Sequence, residues 1–288
     1  MKKNGVFSRA FMVLVYFFLY APIFVLIAFS FNASKSRTVW TGFSFQWYGR
    51  LFQNSQIMDA LQTTVLVSVL AAVIATVAGT AAAIGFYSMK RRSRDVCLAV
   101  NNVPMTNADI ITGVSLMLLF VAAGKALGFS QGFGTLLLAH ITFDIPYVIL
   151  SVLPKLRQLD PNVFEAAQDL GATGWYAFRR VIFPEISPGV INGLMIAFTM
   201  SIDDFVISYF TAGSQTSTLA MVIYSMTRRK ISPEINALST LMFLVVLTLL
   251  IVVNVRQSRQ DRAAARQSAN LTSAADAAML GADGEDTW

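Results

Sequence analysis

The stretch EAAQDLGATGWYAFRRVIFPEISPG, residues 165–189, is neither apolar enough to span a membrane nor part of a terminal tail. It is punctuated like a small helical hairpin. Just before it, Asp160-Pro161 is a helix-start signal: an N-cap candidate, then proline at the first helical position. Val163, Phe164, Ala167 and Leu170 recur at i, i+3 and i+4 spacing, which predicts one apolar face. Gly171 is the expected end of that helix, because glycine accepts the left-handed conformation at little cost. Thr173 can cap a second short helix containing Trp175, Tyr176, Phe178, Val181 and Ile182, bounded by Pro184 and Pro188. Such an element can pack on its own bundle, or it can enter a groove on another protein.

The surroundings place this hairpin in a membrane protein. Of the 288 residues, 55% are hydrophobic and only 13% charged, about half the charge of a soluble domain. The net charge of +6 lies in short basic clusters between apolar runs, with no basic face interleaved with aromatics, so nucleic acid is not an expected partner. Cys97 is the single cysteine and His140 the single histidine. An intrachain disulfide and a multi-histidine metal site or catalytic triad are excluded. His140 is expected to be a polar residue satisfied inside the bundle.

Crossing the hydrocarbon core takes roughly 20 apolar residues. Six stretches qualify, at about Ala10–Phe31, Ala60–Tyr87, Val96–Ala123, Phe133–Leu153, Val190–Ala212 and Ile235–Val255. The first is too long for a cleaved leader's apolar region and reads as an anchor. The expected fold is therefore all-α, a polytopic bundle of six transmembrane helices with membrane lipid around it. Its parts are a cytoplasmic N-terminus at 1–9, a six-span transmembrane domain at 10–255 with an inner loop at 154–189, and a cytoplasmic tail at 256–288.

Lysine and arginine set the orientation. With both termini inside, the outer segments hold only Lys35, Arg37, Arg50, Lys125, Arg228, Arg229 and Lys230. The other fifteen of the 22 basic residues fall inside, which favours the N-in, C-in topology and makes the hairpin cytoplasmic. Trp40, Trp47 and Tyr48 in the first outer loop suit a segment lying on the membrane interface. The tail, ending SAADAAMLGADGEDTW, is too polar to bury a core.

Four carboxylates fall within the apolar stretches: Asp109, Asp144, Asp203 and Asp204. A charged side chain at a helix centre costs about 2.5–3.5 kcal/mol on insertion scales and commonly marks a pathway. At roughly 1.5 Å per residue all four are expected near mid-depth. No lysine or arginine accompanies them, so a cationic solute is favoured over an anion. Adjacent helical positions point about 100° apart, so Asp203 and Asp204 are not expected to face the same pathway, and one is free to hydrogen-bond a neighbouring helix. Asp144 is two residues from Pro146, whose freed backbone group offers a structural reason for a polar neighbour.

Glu165-Ala166-Ala167, three residues, Gly171, and an apolar run closing on Pro184 resemble the EAA motif of ABC-importer permeases of the MetI-like family. Position adds to the resemblance, since the motif sits between the fourth and fifth spans. FLYAPIFVLIAFSFNASK (18–35), WTGFSFQWY (40–48), HITFDIPYVIL (140–150), FTMSIDDFVISYFTAG (198–213) and SPEINALSTL (232–241) extend it. Together they resemble the spermidine/putrescine type, specifically the second permease of a heterodimeric pair. Where that family more usually has a small residue this chain has Asp144.

The resemblance implies a coupling loop of Glu165, Ala166, Ala167, Asp169, Gly171, Ala172 and Pro184 that docks on an ATP-binding subunit. It also implies a substrate pathway through Asp109, Asp203 and Asp204, with Asp144 the least secure. The expected partners are a sister permease, two ATP-binding cassette subunits and a periplasmic polyamine-binding protein, all at a bacterial inner membrane. The sequence has no G-x-x-x-x-G-K-[ST], and GTAAAIGFYS (79–88) lacks the lysine. The chain is thus expected to be a transport subunit rather than an enzyme, with no cofactor of its own and ATP hydrolysed by a partner. Two other readings fit the spans: the same architecture for another small solute, and an ATP-independent secondary cation transporter. The EAA spacing disfavours the second.

Overall fold

The computed structural model describes residues 5–34, 39–160, 162–229, 234–248, 250–252, 254, 255 and 258. The tail expected at 256–288 and Pro161 therefore lie outside the described residues, apart from the backbone of Ser258. Among the described residues, six helices are long and apolar enough to cross a membrane: Ser8–Ser30, Ser55–Ser88, Asp109–Leu127, Phe133–Gln158, Gly174–Ile202 and Glu234–Val252.

In chain order the helices are α1 (Gly5–Ser30), α2 (Gln46–Gln53), α3 (Ser55–Ser88), α4 (Arg91–Thr106), α5 (Asp109–Leu127) and α6 (Phe133–Gln158). There follow α7 (Val163–Asp169), α8 (Gly174–Ala177), α9 (Phe183–Ile202), α10 (Val206–Thr211), α11 (Leu219–Arg229) and α12 (Glu234–Val252). The centre is a triangle of α3, α6 and α9. In lipid there is no hydrophobic drive between helices, so close approach depends on small residues. Ala71, Ala72, Ala75 and Ala83 of α3 and Ala197 of α9 are all buried there. A Cβ on Gly79 would come within 2.7 Å of Val148 Cβ, and one on Gly193 within 3.2 Å of Val148 Cα. Asn192 donates to Ser151 Oγ at 2.9 Å across the α6–α9 seam. α1 lies outside this triangle and leaves Phe17 and Phe18 exposed.

Two expected spans turn out to be interrupted. The run Val96–Ala123 is broken at Asn107–Ala108, both extended, between α4 and α5. Pro104 lies inside α4, where it leaves the Val100 carbonyl without its helical donor, and the helix still runs on to Thr106. The run Val190–Ala212 stops at Ile202, and α10 begins again at Val206. The fifth span instead gains its length from the other end. α8 passes through a π-turn, Phe178–Ile182, directly into α9. Pro184 therefore sits in a continuous helical run rather than ending one. The wider turn re-pairs the backbone there, with Phe183 N–H bonded to Phe178 C=O.

The first outer loop is folded onto the protein. Asn32 bridges Phe43, accepts from Thr41 N at 3.0 Å, and takes Trp47 Nε1–H on its carbonyl at 2.6 Å. Trp47 is 2% exposed and packs with Leu51, Ile57, Leu219 and Leu238. The interfacial reading thus fails for Trp47, which anchors a core, while Trp40 remains half exposed.

Candidate functional site

The two helix interruptions carry the carboxylates. Asp109 is the first residue of α5, exposed, where a helix N-terminus favours negative charge. It is not mid-helix, since the helix it was expected to continue ends three residues earlier. Asp203 ends α9 and is also exposed. Asp204, next to it, turns the other way. Its Oδ1 accepts from Ile207 N at 3.3 Å and its Oδ2 from Ser208 N at 2.7 Å, capping α10. Asp203 and Asp204 therefore do serve different faces, though because the helix has ended rather than by helical rotation.

His140 on α6 is what the break is built around. It is 1% exposed. Its Nδ1 is 2.6 Å from Ser201 Oγ at the end of α9, and its Nε2 3.0 Å from Ser208 Oγ on α10. Nε2 also lies 3.6 Å from Asp204 Oδ2. One imidazole thus bridges the last turn before the gap and the first turn after it. The expectation of a satisfied core histidine is met, and its partners form a clamp between two helices. Spacing alone could not show it, since Ser201 and Ser208 are 61 and 68 residues away in sequence.

Asp144, one turn from His140 on α6, is fully buried, and neither oxygen has a hydrogen-bond partner among the described residues. Pro146 releases a carbonyl, which cannot donate, so it does not satisfy this carboxylate. The acidic groups form one electrostatic neighbourhood: Asp144 interacts with Asp204, Asp203 with Asp204, and Tyr147 with both Asp109 and Asp144. Among the described residues no three His, Cys, Asp or Glu side chains are grouped to hold a metal ion.

α10 is held close to α5 by Gly113, whose added Cβ would stand 2.9 Å from Phe210. Beside the interruption lies a cavity of about 500 Å³ lined by Ile110, Phe205, Val206, Tyr209, Tyr224 and Arg228, among others. A second, of about 660 Å³, lies farther along α5 and includes Lys125, Gln131 and Ser214.

The hairpin of the opening stretch forms a separate surface. α7 begins one residue after Asn162, and Asp160 Oδ1 accepts from Asn162 N at 2.9 Å instead of capping α7 directly. The helix ends on Gly171 at φ +84°, with Gly171 N–H on Gln168 C=O at 2.8 Å and Ala172 N–H on Ala167 C=O at 3.1 Å. That bond pair is the Schellman arrangement, for which glycine is favoured. Thr173 Oγ1 accepts from Tyr176 N at 3.4 Å, as expected for the second cap. Glu165, Ala166, Asp169, Gly171 and Pro184 are exposed, with Ala167 and Ala172 half-buried. Leu170 at 90% and Trp175 at 71% stand bare. The groove of about 450 Å³ beside them is lined by Ala167, Gly171, Ala172, Tyr176 and Val181 among others.

Residues 75–266 match the profile of the binding-protein-dependent transport system inner membrane component family. The chain is 41% identical over 227 residues to the putrescine transport system permease protein PotI of Escherichia coli, covering 78% of this chain and 81% of that one. It is 38% identical over 245 residues to the spermidine/putrescine transport system permease protein PotC of Haemophilus influenzae, covering 85% and 93%. Its fold resembles that in the crystal structure of a bacterial ABC transporter involved in import of the acidic polysaccharide alginate. The TM-score is 0.69 at 17% identity, covering 90% of this chain and 96% of that one.

Proposed function

The chain belongs to the family of binding-protein-dependent transport system inner membrane components, and from that premise we propose how it works. It is a multi-pass inner-membrane transport permease of the ABC-importer type, and its solute is a polyamine, putrescine or spermidine. One observation above all supports that solute: Asp109 and Asp203 are exposed at two helix interruptions. α4 and α9 both end at these gaps, and a helix C-terminus carries partial negative charge. The N-termini of α5 and α10 at the same gaps are met by Asp109 and Asp204, so the exposed Asp203 carboxylate is left to act on an ammonium group. Interrupted helices are also the usual material of solute sites in transporters.

Work is delivered through the cytoplasmic hairpin. Leu170, Trp175 and Tyr176 are too exposed for a surface that meets only water, and the groove between the two short helices suits a protein partner. That partner is one of two ATP-binding cassette subunits, which hydrolyse the ATP. A sister permease completes the membrane pathway, and a periplasmic polyamine-binding protein supplies the solute. The continuous helix from α8 through the π-turn into α9 links the hairpin mechanically to Asp203. Movement of the ATPase is thereby passed to the acidic gap.

The test is uptake of radiolabelled putrescine and spermidine by cells with and without this chain, before and after ATP depletion. Uptake that needs both the chain and ATP is the expected result. Uptake that survives ATP depletion but follows the ion gradient would replace the importer with a secondary transporter.

A further inference from the structure

The cavity of about 500 Å³ beside the α9–α10 gap has a property that the acidic residues alone do not supply. Its wall is an aromatic cluster. Phe205 and Tyr224 have ring centroids 4.5 Å apart, Phe205 and Tyr209 5.5 Å, and Tyr209 and Tyr224 6.5 Å. Tyr209 is 55% exposed and Tyr224 36%, so the rings are not packed away in a core. Aromatic faces attract cations, most strongly where water is reduced. The chain already demonstrates this, since Arg228 places its guanidinium carbon 5.0 Å from the Tyr224 ring centre.

The cavity wall also includes the chain neighbours of the carboxylates, although none of Asp109, Asp203 and Asp204 lines it. Ile110 in its wall directly follows Asp109, and Phe205 directly follows Asp203-Asp204. A linear alkyl diammonium needs that alternation, with negative charge for its two ends and apolar or aromatic surface for its methylenes. A simple metal cation needs neither the rings nor the apolar wall.

We propose that this cavity is a seat for a primary alkylammonium group, formed by Phe205, Tyr209 and Tyr224, and that Arg228 is its tethered occupant. The inference rests on the polyamine reading and adds a location and a competitor to it. An arriving ammonium group displaces the Arg228 guanidinium from the Tyr224 face. When the solute leaves, Arg228 returns, and a cation pathway is not left lined by bare rings and carboxylates. An arginine at the mouth of a cation pathway, otherwise a repulsive feature, is then a reversible plug.

The experiment uses the complete importer in membrane vesicles, with Cys97→Ser to remove the native thiol and Ser225→Cys to place a thiol in the cavity wall. A membrane-permeant thiol reagent is applied with and without putrescine. Putrescine should slow modification at least about threefold, and Arg228→Gln should lower the putrescine concentration needed for protection. Tyr224→Leu should raise that concentration about five- to thirtyfold, and Tyr224→Phe should change it little. Equal modification rates with and without saturating putrescine would overturn the seat. Protection unchanged by Arg228→Gln would overturn the competitor. Neither readout depends on transport, so a failure of ATP-driven uptake would count against the proposed function and not against the seat.

Discussion

His140 Nε2 on α6 and Asp204 Oδ2 in the gap between α9 and α10 stand 3.6 Å apart, while the same ring holds Ser201 at 2.6 Å and Ser208 at 3.0 Å. A helix broken inside a membrane leaves backbone groups that lipid cannot satisfy. Here Asp204 satisfies two of the donors after the break, and His140 fixes Asp204 and both serines. The gap is thus a supported structure, and Asp203 at its edge is left with its side chain exposed.

Removal of the clamp should be felt as stability. His140→Ala strands Ser201 and Ser208, both buried, at a cost of about 1–3 kcal/mol. Asn or Gln at the same position should recover part of that loss by reaching one serine. Thermal inactivation of the purified complex reads the difference, and an unchanged midpoint in His140→Ala would show that the break needs no clamp.

The two neighbouring aspartates should separate by phenotype. Asp203 is exposed and caps nothing through its side chain, so Asp203→Asn should lower polyamine uptake with little change in the amount of assembled complex. Asp204→Ala loses the cap on α10 as well, adding about 0.5–2 kcal/mol of destabilisation. Asp109→Asn should behave like Asp203→Asn. Uptake together with complex abundance tests all three, and equal abundance in Asp203→Asn and Asp204→Ala would contradict the division of roles.

The sequence shows the six-span bundle because span length and hydropathy are averaged properties, and averages survive local detail. For the same reason it hides the interruptions. Asn107 and Ala108, or Asp203 to Phe205, are two or three residues within windows of about 20, and their apolar flanks dominate. The signal that was available is capping chemistry: an acidic residue ahead of a renewed apolar run, as in Asp109-Ile110-Ile111 and Asp204-Phe205-Val206. Gly171 and Thr173 were legible because turn chemistry is local. The burial of Trp47 and the partners of His140 were not, since both are decided by residues brought from distant helices. Pro184 misled because the π-turn before it supplies an alternative pairing that a proline rule does not anticipate.

The hairpin between α6 and α9 offers a clean backbone test of the proposed coupling. Gly171 is at φ +84°, and an added Cβ would meet nothing within 4 Å. Gly171→Ala therefore costs only the left-handed strain, about 1–2 kcal/mol, in a loop that touches little else. Glu165→Ala removes an exposed charge from the first turn of α7, a local loss of about 0.3–1 kcal/mol. In the full complex both should reduce uptake per ATP hydrolysed while insertion stays normal, and unchanged ratios in both would remove the hairpin from coupling.

The close approach of α3 and α6 provides the sharpest steric contrast. Gly79 and Gly85 lie on one helix, less than two turns apart. A Cβ at position 79 would come within 2.7 Å of Val148 Cβ and 2.8 Å of Val148 Cγ1, inside the contact limit of any carbon pair. A Cβ at position 85 meets nothing within 4 Å. Alanine favours a helix by about 0.8–1.0 kcal/mol over glycine, so both substitutions start with the same gain. Gly85→Ala should keep it, and Gly79→Ala should lose it and more, because overpacking of a tight seam costs about 1–3 kcal/mol. Val148→Ala removes the Cγ1 contact but keeps Cβ, so it should rescue Gly79→Ala only in part. Measuring detergent-resistant assembly of the three variants and the double variant decides the matter. Full stability of Gly79→Ala alone would mean that the seam between α3 and α6 has room that the packing of Val148 denies.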